Sequence, residues 1–287
     1  MKRFIKNMFL ILIAVFFISC SEKKELKIAA NSWIGYTPLF YADAKGWLKN
    51  ENIKLINTVS LAESVDLYRN NFIDAFAATQ YEYSLLNRND VYAIMLFDKS
   101  NGADMIMINF PFNKTDQYKN KIDAFMEVNS VNYLLFEYFI KSNNLSKNIF
   151  NIHNLDQGQI VKKEYHSPTL IVTYAPYDAE LKKHNFKIIA STKNSKSLIV
   201  IDALFSDAEN IQKHKQQFIK LKSFTLEALN HLKKDPKEFF NTIKDYLPGY
   251  TYADFEADLN NIEWIVNPDD NIKKLLKIIK LPYKELK

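Results

Sequence analysis

The residues with the most chemistry to offer stand in short loops that follow apolar runs. Trp33, Gly35 and Tyr36 come just after Leu26–Ala30. Their two rings could stack on a ligand, and Gly35 would let backbone approach it. Thr37-Pro38 behind them reads as a helix N-cap followed by proline at the first helical position, with free N–H groups near the same loop. Ser60 follows the next run and offers a hydroxyl, although an ordinary N-cap explains it equally well. Thr79 and Gln80 end a third run with a hydroxyl and an amide. Glu82, close behind, could meet a cationic or N–H-bearing group. Asn101, Gly102 and Asp104 could line a site or simply make a turn. Glu127, Asn129 and Ser130 stand where a helix opens, so Asn129 or Ser130 is also a natural N-cap. Tyr174 and Tyr177 flank Pro176 and could form an aromatic wall. Asp74 reads as structural, its carboxylate binding local N–H groups.

Other chemistries find no support. The five histidines (His153, His166, His184, His214 and His231) are scattered without metal-ligand spacing. No GxSxG elbow, P-loop or GxGxxG is present. The single cysteine excludes a disulfide scaffold and any CxxC motif. No cofactor, metal or catalytic residue is therefore expected. Of the three arginines, Arg3, Arg69 and Arg88, none falls in the candidate loops, so a bidentate clamp for an oxyanion is missing. Lys99 and helix N-termini could still hold an anion. Aromatic rings near Glu82, Asp104 and Glu127 favour a neutral or cationic ligand.

The first twenty residues have a separate logic. Lys2, Arg3 and Lys6 precede the 12-residue apolar run Met8–Ser19, which ends at Cys20. A membrane span needs about 20 apolar residues, so this run reads as a secretory signal segment, residues 1–19. Phe17-Ile18-Ser19-Cys20 resembles a bacterial lipobox, in which the Cys20 thiol receives a lipid and becomes the mature N-terminus. Residues 20–25 then form a polar tether. Export and lipid anchoring at a membrane, facing the periplasm or cell exterior, are expected.

The remainder of the 287-residue chain must position the loops. It is 47% hydrophobic with mixed charge, which excludes a disordered chain. Without Lys2, Arg3 and Lys6 the net charge of +5 falls to +2, too little to argue for nucleic acid. Strand and helix patterns alternate: strands at 26–30, 53–59, 73–78, 91–97 and 105–108, with helices at 38–47, 61–70 and 81–86 between them. After the polar stretch Asn109–Asn120 the rhythm restarts, with strands at 122–126, 149–153, 170–174 and 186–190 and a helix at 130–142. Residues 199–205 read as a returning strand. Helices are expected at 207–221, 223–233, 236–246 and 252–264. This predicts an α/β fold of two lobes, each a mostly parallel sheet flanked by helices, with C-terminal helices. The expected division is 26–107 with 196–287 for the first lobe and 108–195 for the second.

Several segments resemble a known group. Ala30-Asn-Ser-Trp-Ile-Gly-Tyr-Thr-Pro-Leu-Phe-Tyr-Ala-Asp-Ala-Lys-Gly-Trp-Leu48 resembles the opening of solute-binding proteins of nitrate/sulfonate/taurine ABC importers. Arg69-Asn-Asn-Phe-Ile-Asp-Ala75 resembles their Gly-x-Ile-Asp-Ala signature, with Asn71 in place of the usual glycine. Ser100-Asn-Gly-Ala-Asp104 resembles a motif of one branch. Thr173-Tyr-Ala-Pro-Tyr177 stands at an aromatic-Glu-Pro turn, with Ala175 replacing the glutamate. Lys233-Lys-Asp-Pro-Lys-Glu-Phe239 resembles the late helix-Pro-helix segment.

The resemblance implies a type II periplasmic-binding-protein clamshell that closes on a small organic molecule or oxyanion between its lobes. Its expected partners are that solute, an ABC permease and its ATPase, and the membrane through the lipid anchor, with no nucleic acid and a monomeric chain. Hinge strands are expected near Asn101–Asn109 and Ser195–Asp202. Ligands of such sheets lie beyond the carboxyl ends of strands, where the candidate loops stand. Two other roles stay open: a sensory lipoprotein presenting its ligand to a receptor, and a surface lipoprotein without a small ligand. The superfamily also holds the fungal thiamine-pyrimidine synthase, an enzyme that needs a Cys-rich segment and an active-site histidine. This chain has only Cys20.

Overall fold

A computed structural model of the protein describes residues 24–112, 122–193 and 197–286. The signal segment, Cys20, most of its tether, much of Asn109–Asn120 and Ser195 lie outside the described residues. No helix among the described residues is long and apolar enough to cross a membrane.

The chain opens with strand β1 (Leu26–Asn31), helices α1 (Thr37–Ala44) and α2 (Trp47–Asn50), and strand β2 (Ile53–Thr58). Helix α3 (Leu61–Arg69), strand β3 (Ala75–Thr79) and helix α4 (Gln80–Leu86) follow. Strands β4 (Val91–Ser100), β5 (Asp104–Ile108) and β6 (Ile122–Met126) come next. Helix α5 (Val131–Ser142), strand β7 (Phe150–Asn154), helix α6 (Gln157–Lys162) and strand β8 (Thr169–Tyr174) continue the alternation. Helix α7 (Asp178–Lys183), strand β9 (Lys187–Ser191) and strand β10 (Ile201–Asp207) lead to the last part. There, helices α8 (Ala208–Lys213), α9 (Lys215–Lys234), α10 (Pro236–Ile243) and α11 (Tyr252–Asp258) precede strand β11 (Ile262–Trp264) and helix α12 (Asp270–Ile278).

Two sheets result. The first has the order β11-β4-β10-β3-β1-β2 and the second β7-β6-β8-β5-β9. In the first, β1 to β4 share one direction, while β10 and β11 oppose them. In the second, only β5 opposes the others. Both sheets are thus mixed, with most strands running one way. β1 and β3 read as nearly continuous apolar runs because helices cover both faces of the sheet.

Local signals set most boundaries. Ser60 caps α3, its Oγ accepting the Glu63 N–H at 3.1 Å, while Glu63 Oε2 accepts the Val59 N–H at 2.6 Å. Leu61, Val65 and Tyr68 then face the core at helical spacing. Asp74 accepts the Lys27 N–H at 2.9 Å and meets Lys213 at 3.1 Å.

Four expectations need correction. The expected division puts residues 105–107 of β5 in the first lobe, yet the strand pairs with β8 and β9 in the second sheet. The patterning predicts helices over 207–233 broken near Leu221, whereas α9 runs unbroken through Ser223. No glycine or proline interrupts it, and Phe218, Leu221, Thr225, Ala228 and Leu232 form one buried stripe. Residues 252–264 were read as one helix. It stops at Asp258, and Ile262–Trp264 pairs with the β4 edge through Ile262↔Ser100. Helices α6, α7 and α12 were not expected, the first two being only six residues long.

Candidate functional site

The loops at the carboxyl ends of β1, β3, β6 and β8 converge between the sheets, as ligand sites of open α/β sheets do. They surround a narrow gap of about 10 Å³, lined by Asn31, Trp33, Thr79, Asp104, Tyr174 and Asp202 among others. Trp33 and Tyr174 stand edge to face with ring centroids 5.7 Å apart, and Tyr177 meets Tyr174 at 5.4 Å. The aromatic residues expected from sequence therefore do come together. Tyr36 lies deeper, donating its hydroxyl to Asp202 Oδ1 at 2.5 Å.

Gly35 has a different job from the one expected. A Cβ there would lie 1.8 Å from Asp98 Oδ2 and 2.3 Å from Trp33 Nε1. The missing side chain thus leaves room for the Trp33 indole N–H to donate to Asp98 Oδ2 at 3.2 Å. Gly102 adopts φ +125°, a left-handed conformation open to glycine. Its N–H donates to Thr192 Oγ1 at 2.8 Å at the first crossover between the sheets, and the Asn101 N–H donates to the Asn261 carbonyl at 2.8 Å. The Gln80 amide clamps the returning crossover, donating to the Ile199 carbonyl at 2.5 Å and accepting the Ile201 N–H at 2.8 Å. Ser130 caps α5 and donates to the Glu127 carbonyl at 3.0 Å. Asn129 is exposed and borders, with Arg69 and Glu82, an outer cavity of about 270 Å³. Arg69 is already engaged there by Asp66 at 3.4 Å and the Leu85 carbonyl at 2.7 Å.

The dominant feature is a group of five buried carboxyl side chains: Glu82, Asp98, Asp104, Glu127 and Asp202, all at most 4% exposed. Asp98 and Asp202 are direct partners across the antiparallel β4–β10 pair, an unfavourable position for like charges. Asp104 pairs in register with Tyr174 across β5 and β8. Glu82 reaches across the lobes: one oxygen accepts the Thr79 N–H at 3.0 Å and the Thr79 hydroxyl, completing a capping box on α4. Its other oxygen accepts the Val131 N–H at the start of α5 at 2.7 Å. A second cross-lobe chain runs from Asn31 Nδ2 to the Tyr174 hydroxyl at 2.9 Å and on to Glu127 Oε1 at 3.3 Å.

None of the five forms an ion pair among the described residues, where the nearby Lys99 is bound to Glu263 at 2.5 Å. Burial without a counter-charge raises all five carboxyl groups above their ordinary range. Asp104 is pushed up to about 7 by burial and then by Glu82, despite a bond from Ser100. Glu127 rises to about 8 through burial and Glu82. Burial also lifts Glu82, against the hydrogen bonds it receives. Asp98 and Asp202 rise well above the usual range, chiefly through burial, with Asp104 adding to the first and Asp98 to the second. Asn31 Oδ1, Asp98 Oδ1, Asp104 Oδ2, Glu127 Oε2 and Asp202 Oδ2 are buried oxygens without a hydrogen-bond partner among the described residues.

Sequence reasoning weighed Glu82, Asp104 and Glu127 but missed Asn31, Asp98 and Asp202. The missed signal was a lone carboxylate inside an apolar run, Asp98 closing 91–97 and Asp202 within 199–205. Among the described residues no group of three His, Cys, Asp or Glu side chains could hold a metal ion.

No family model matches the chain, and no curated protein is detectably similar in sequence. Solved structures are. The ligand-binding component of an ABC-type import system from Staphylococcus aureus superposes with a TM-score of 0.67 at 13% identity, over 89% of this chain and 90% of that one. The alkanesulfonate-binding protein of Xanthomonas axonopodis pv. citri gives 0.66 at 13%, over 93% and 97%. The periplasmic nitrate-binding protein of Synechocystis PCC 6803 gives 0.63 at 12%, over 81% and 69%. At these identities the likeness speaks for architecture: the chain has the two-lobed α/β fold of periplasmic binding proteins.

Proposed function

We propose that this chain is an extracytoplasmic solute-binding protein of an ABC importer, not an enzyme. It closes its lobes on a small molecule and delivers it to a membrane permease served by a cytoplasmic ATPase. The observation that carries this reading is the convergence of loops from both sheets on one cavity with buried, unpartnered polar atoms, bridged by Glu82–Val131 and Asn31–Tyr174. A closed clamshell needs both: contacts that form on closure, and ligand atoms to complete the polar groups they bury. The shared fold with ligand-binding components of import systems supports the same role. Residues 2–20 support export and lipid attachment through Cys20.

In this reading Trp33, Tyr174 and Tyr177 wall the ligand, Thr79, Asp104 and Glu127 face it, and Asn101, Gly102 and Gln80 hold the crossovers about which the lobes move. The test is thermal melting and small-angle X-ray scattering of the full chain in detergent against pyrimidines, taurine, alkylsulfonates, nitrate and polyamines. Ligand at 100 times its Kd stabilises the folded state by about 2.7 kcal/mol. One compound class should raise the melting point and shrink the radius of gyration. If no class does either, the capture role is wrong.

A further inference from the structure

Resting on the solute-capture reading, we propose that the ligand is a small organic cation rich in N–H donors, an ammonium or amidinium, held by Asn31, Asp104 and Asp202 against the rings of Trp33 and Tyr174, with Asp98 paired to Asp202 and Glu127 bonded to Tyr174 adding negative charge beside them. The cavity is short of hydrogen-bond donors. Asn31 Oδ1, Asp104 Oδ2 and Asp202 Oδ2 belong to residues lining it and Asp98 Oδ1 and Glu127 Oε2 to their neighbours; none of the five accepts a hydrogen bond among the described residues, and four belong to carboxyl groups. The fifth, Asn31 Oδ1, belongs to a neutral side chain only 1% exposed, so the demand for donors is not a property of the acidic residues alone. Asn31 turns its Nδ2 to Tyr174 at 2.9 Å, which leaves its oxygen as the group facing the cavity.

A buried acceptor left without a donor is destabilising, and an uncompensated buried charge more so. A cation with several N–H groups answers both demands at once. An oxyanion could be held only while these carboxyl groups stay protonated and donate, and it repels their ionised forms. A quaternary ammonium would supply charge without donors. A metal ion is opposed by the absence of any three-ligand cluster among the described residues. Trp33 and Tyr174 add faces on which a cation rests favourably. The gap among these side chains is only about 10 Å³, so the lobes must part to admit even a compact cation.

The charge balance gives the site a pH signature. The groups facing Asp104 and Glu127 are Glu82, Asp98, Asp202 and Asp156, with the hydroxyls of Tyr174 and Tyr177; among the described residues no lysine or arginine bonds to either. A bound cation favours the ionised forms, so binding expels protons and tightens as pH rises. For a carboxyl group titrating near 7, such as Asp104, that amounts to about tenfold between pH 6 and pH 8.

The test is isothermal titration of the full chain in detergent at pH 6 and pH 8, with scattering on the same samples. The probes are putrescine, agmatine and benzamidine, with tetramethylammonium as the N–H-free cation and taurine, methanesulfonate and nitrate as anions. At least one N–H cation should bind, about tenfold tighter at pH 8, releasing protons, and at least tenfold tighter than tetramethylammonium. Asp104→Asn and, separately, Glu127→Gln should weaken it at least tenfold while keeping a cooperative melt. Anion binding with a blank cation panel overturns the cation assignment and leaves solute capture standing. Equal binding of tetramethylammonium, or affinity that falls as pH rises, also overturns it. If no compound of either kind binds or compacts the lobes, solute capture falls too.

Discussion

Asp104→Asn isolates the free-energy cost of assembling acidic groups in a dry cleft. Asp104 is 3% exposed, and burial with Glu82 nearby raises its carboxyl group from the ordinary 3.8 to about 7. A raised acid means that the folded chain holds a proton the unfolded chain has already released. Stability therefore falls as pH rises from near 4 to near 7, and the loss is complete above 7. A shift of this size corresponds to roughly 4 kcal/mol, since each pKa unit is worth 1.36 kcal/mol. Asparagine has nearly the same shape and no charge to bury, so the variant should escape the loss. At pH 8 it should be the more stable protein by up to about 4 kcal/mol, or about 8 °C at roughly 2 °C per kcal/mol for a chain of this size. At pH 4 the two should nearly coincide. The assay is thermal and urea melting of both proteins, without ligand, at pH 4, 6 and 8. Parallel pH profiles, or a variant less stable at pH 8, would refute the claim that Asp104 is buried without a counter-charge. The expected outcome is a protein stabilised by losing a binding group, the trade-off that functional sites show.

Three further substitutions probe the same cleft. Trp33→Ala removes the indole bond to Asp98 and the edge-to-face contact with Tyr174, and should cost about 3–5 kcal/mol in a urea melt. Gly35→Ala should destabilise by about 1–3 kcal/mol, because its Cβ must displace Asp98 Oδ2 and Trp33 Nε1; a neutral result would show that the loop has slack. Glu82→Ala removes both the α4 cap and the cross-lobe bond to Val131. It should cost about 1 kcal/mol through the lost cap and enlarge the radius of gyration of the free protein; an unchanged radius would deny Glu82 its bridging part.

Much of the fold was legible because local physics determines it. Ser60 announces the start of α3 through a side chain that caps it; Thr79, Asp207 and Thr251 cap α4, α8 and α11, whose helices the patterning also placed, whereas Asp269 caps α12, which the patterning did not place. Apolar runs such as 26–30 and 75–79 exist because helices cover both faces of their sheets. The misreadings fall where local and long-range forces disagree. Ile262–Trp264 follows a helix closely enough to look like its continuation, and only the open edge of β4 makes it a strand. β5 carries no mark of its sheet; its register with β8 decides that.

The same division runs through the site. By itself the sequence determined the α/β alternation, the loops that carry Trp33, Tyr36, Thr79 and Tyr174, and the lack of a clamping arginine, since these follow from residue type and nearest neighbours. Only the tertiary structure decided that Asp98 and Asp202, more than a hundred residues apart, lie opposite each other on β4 and β10. It likewise brought Glu82 to the helix of the other lobe and left Asn31 with an unpartnered oxygen. A carboxylate's spacing along the chain says nothing about the dielectric around it. Which charges share a dry cavity, and hence what the cavity lacks, is settled by the register of antiparallel strands and the crossing of the chain between two sheets.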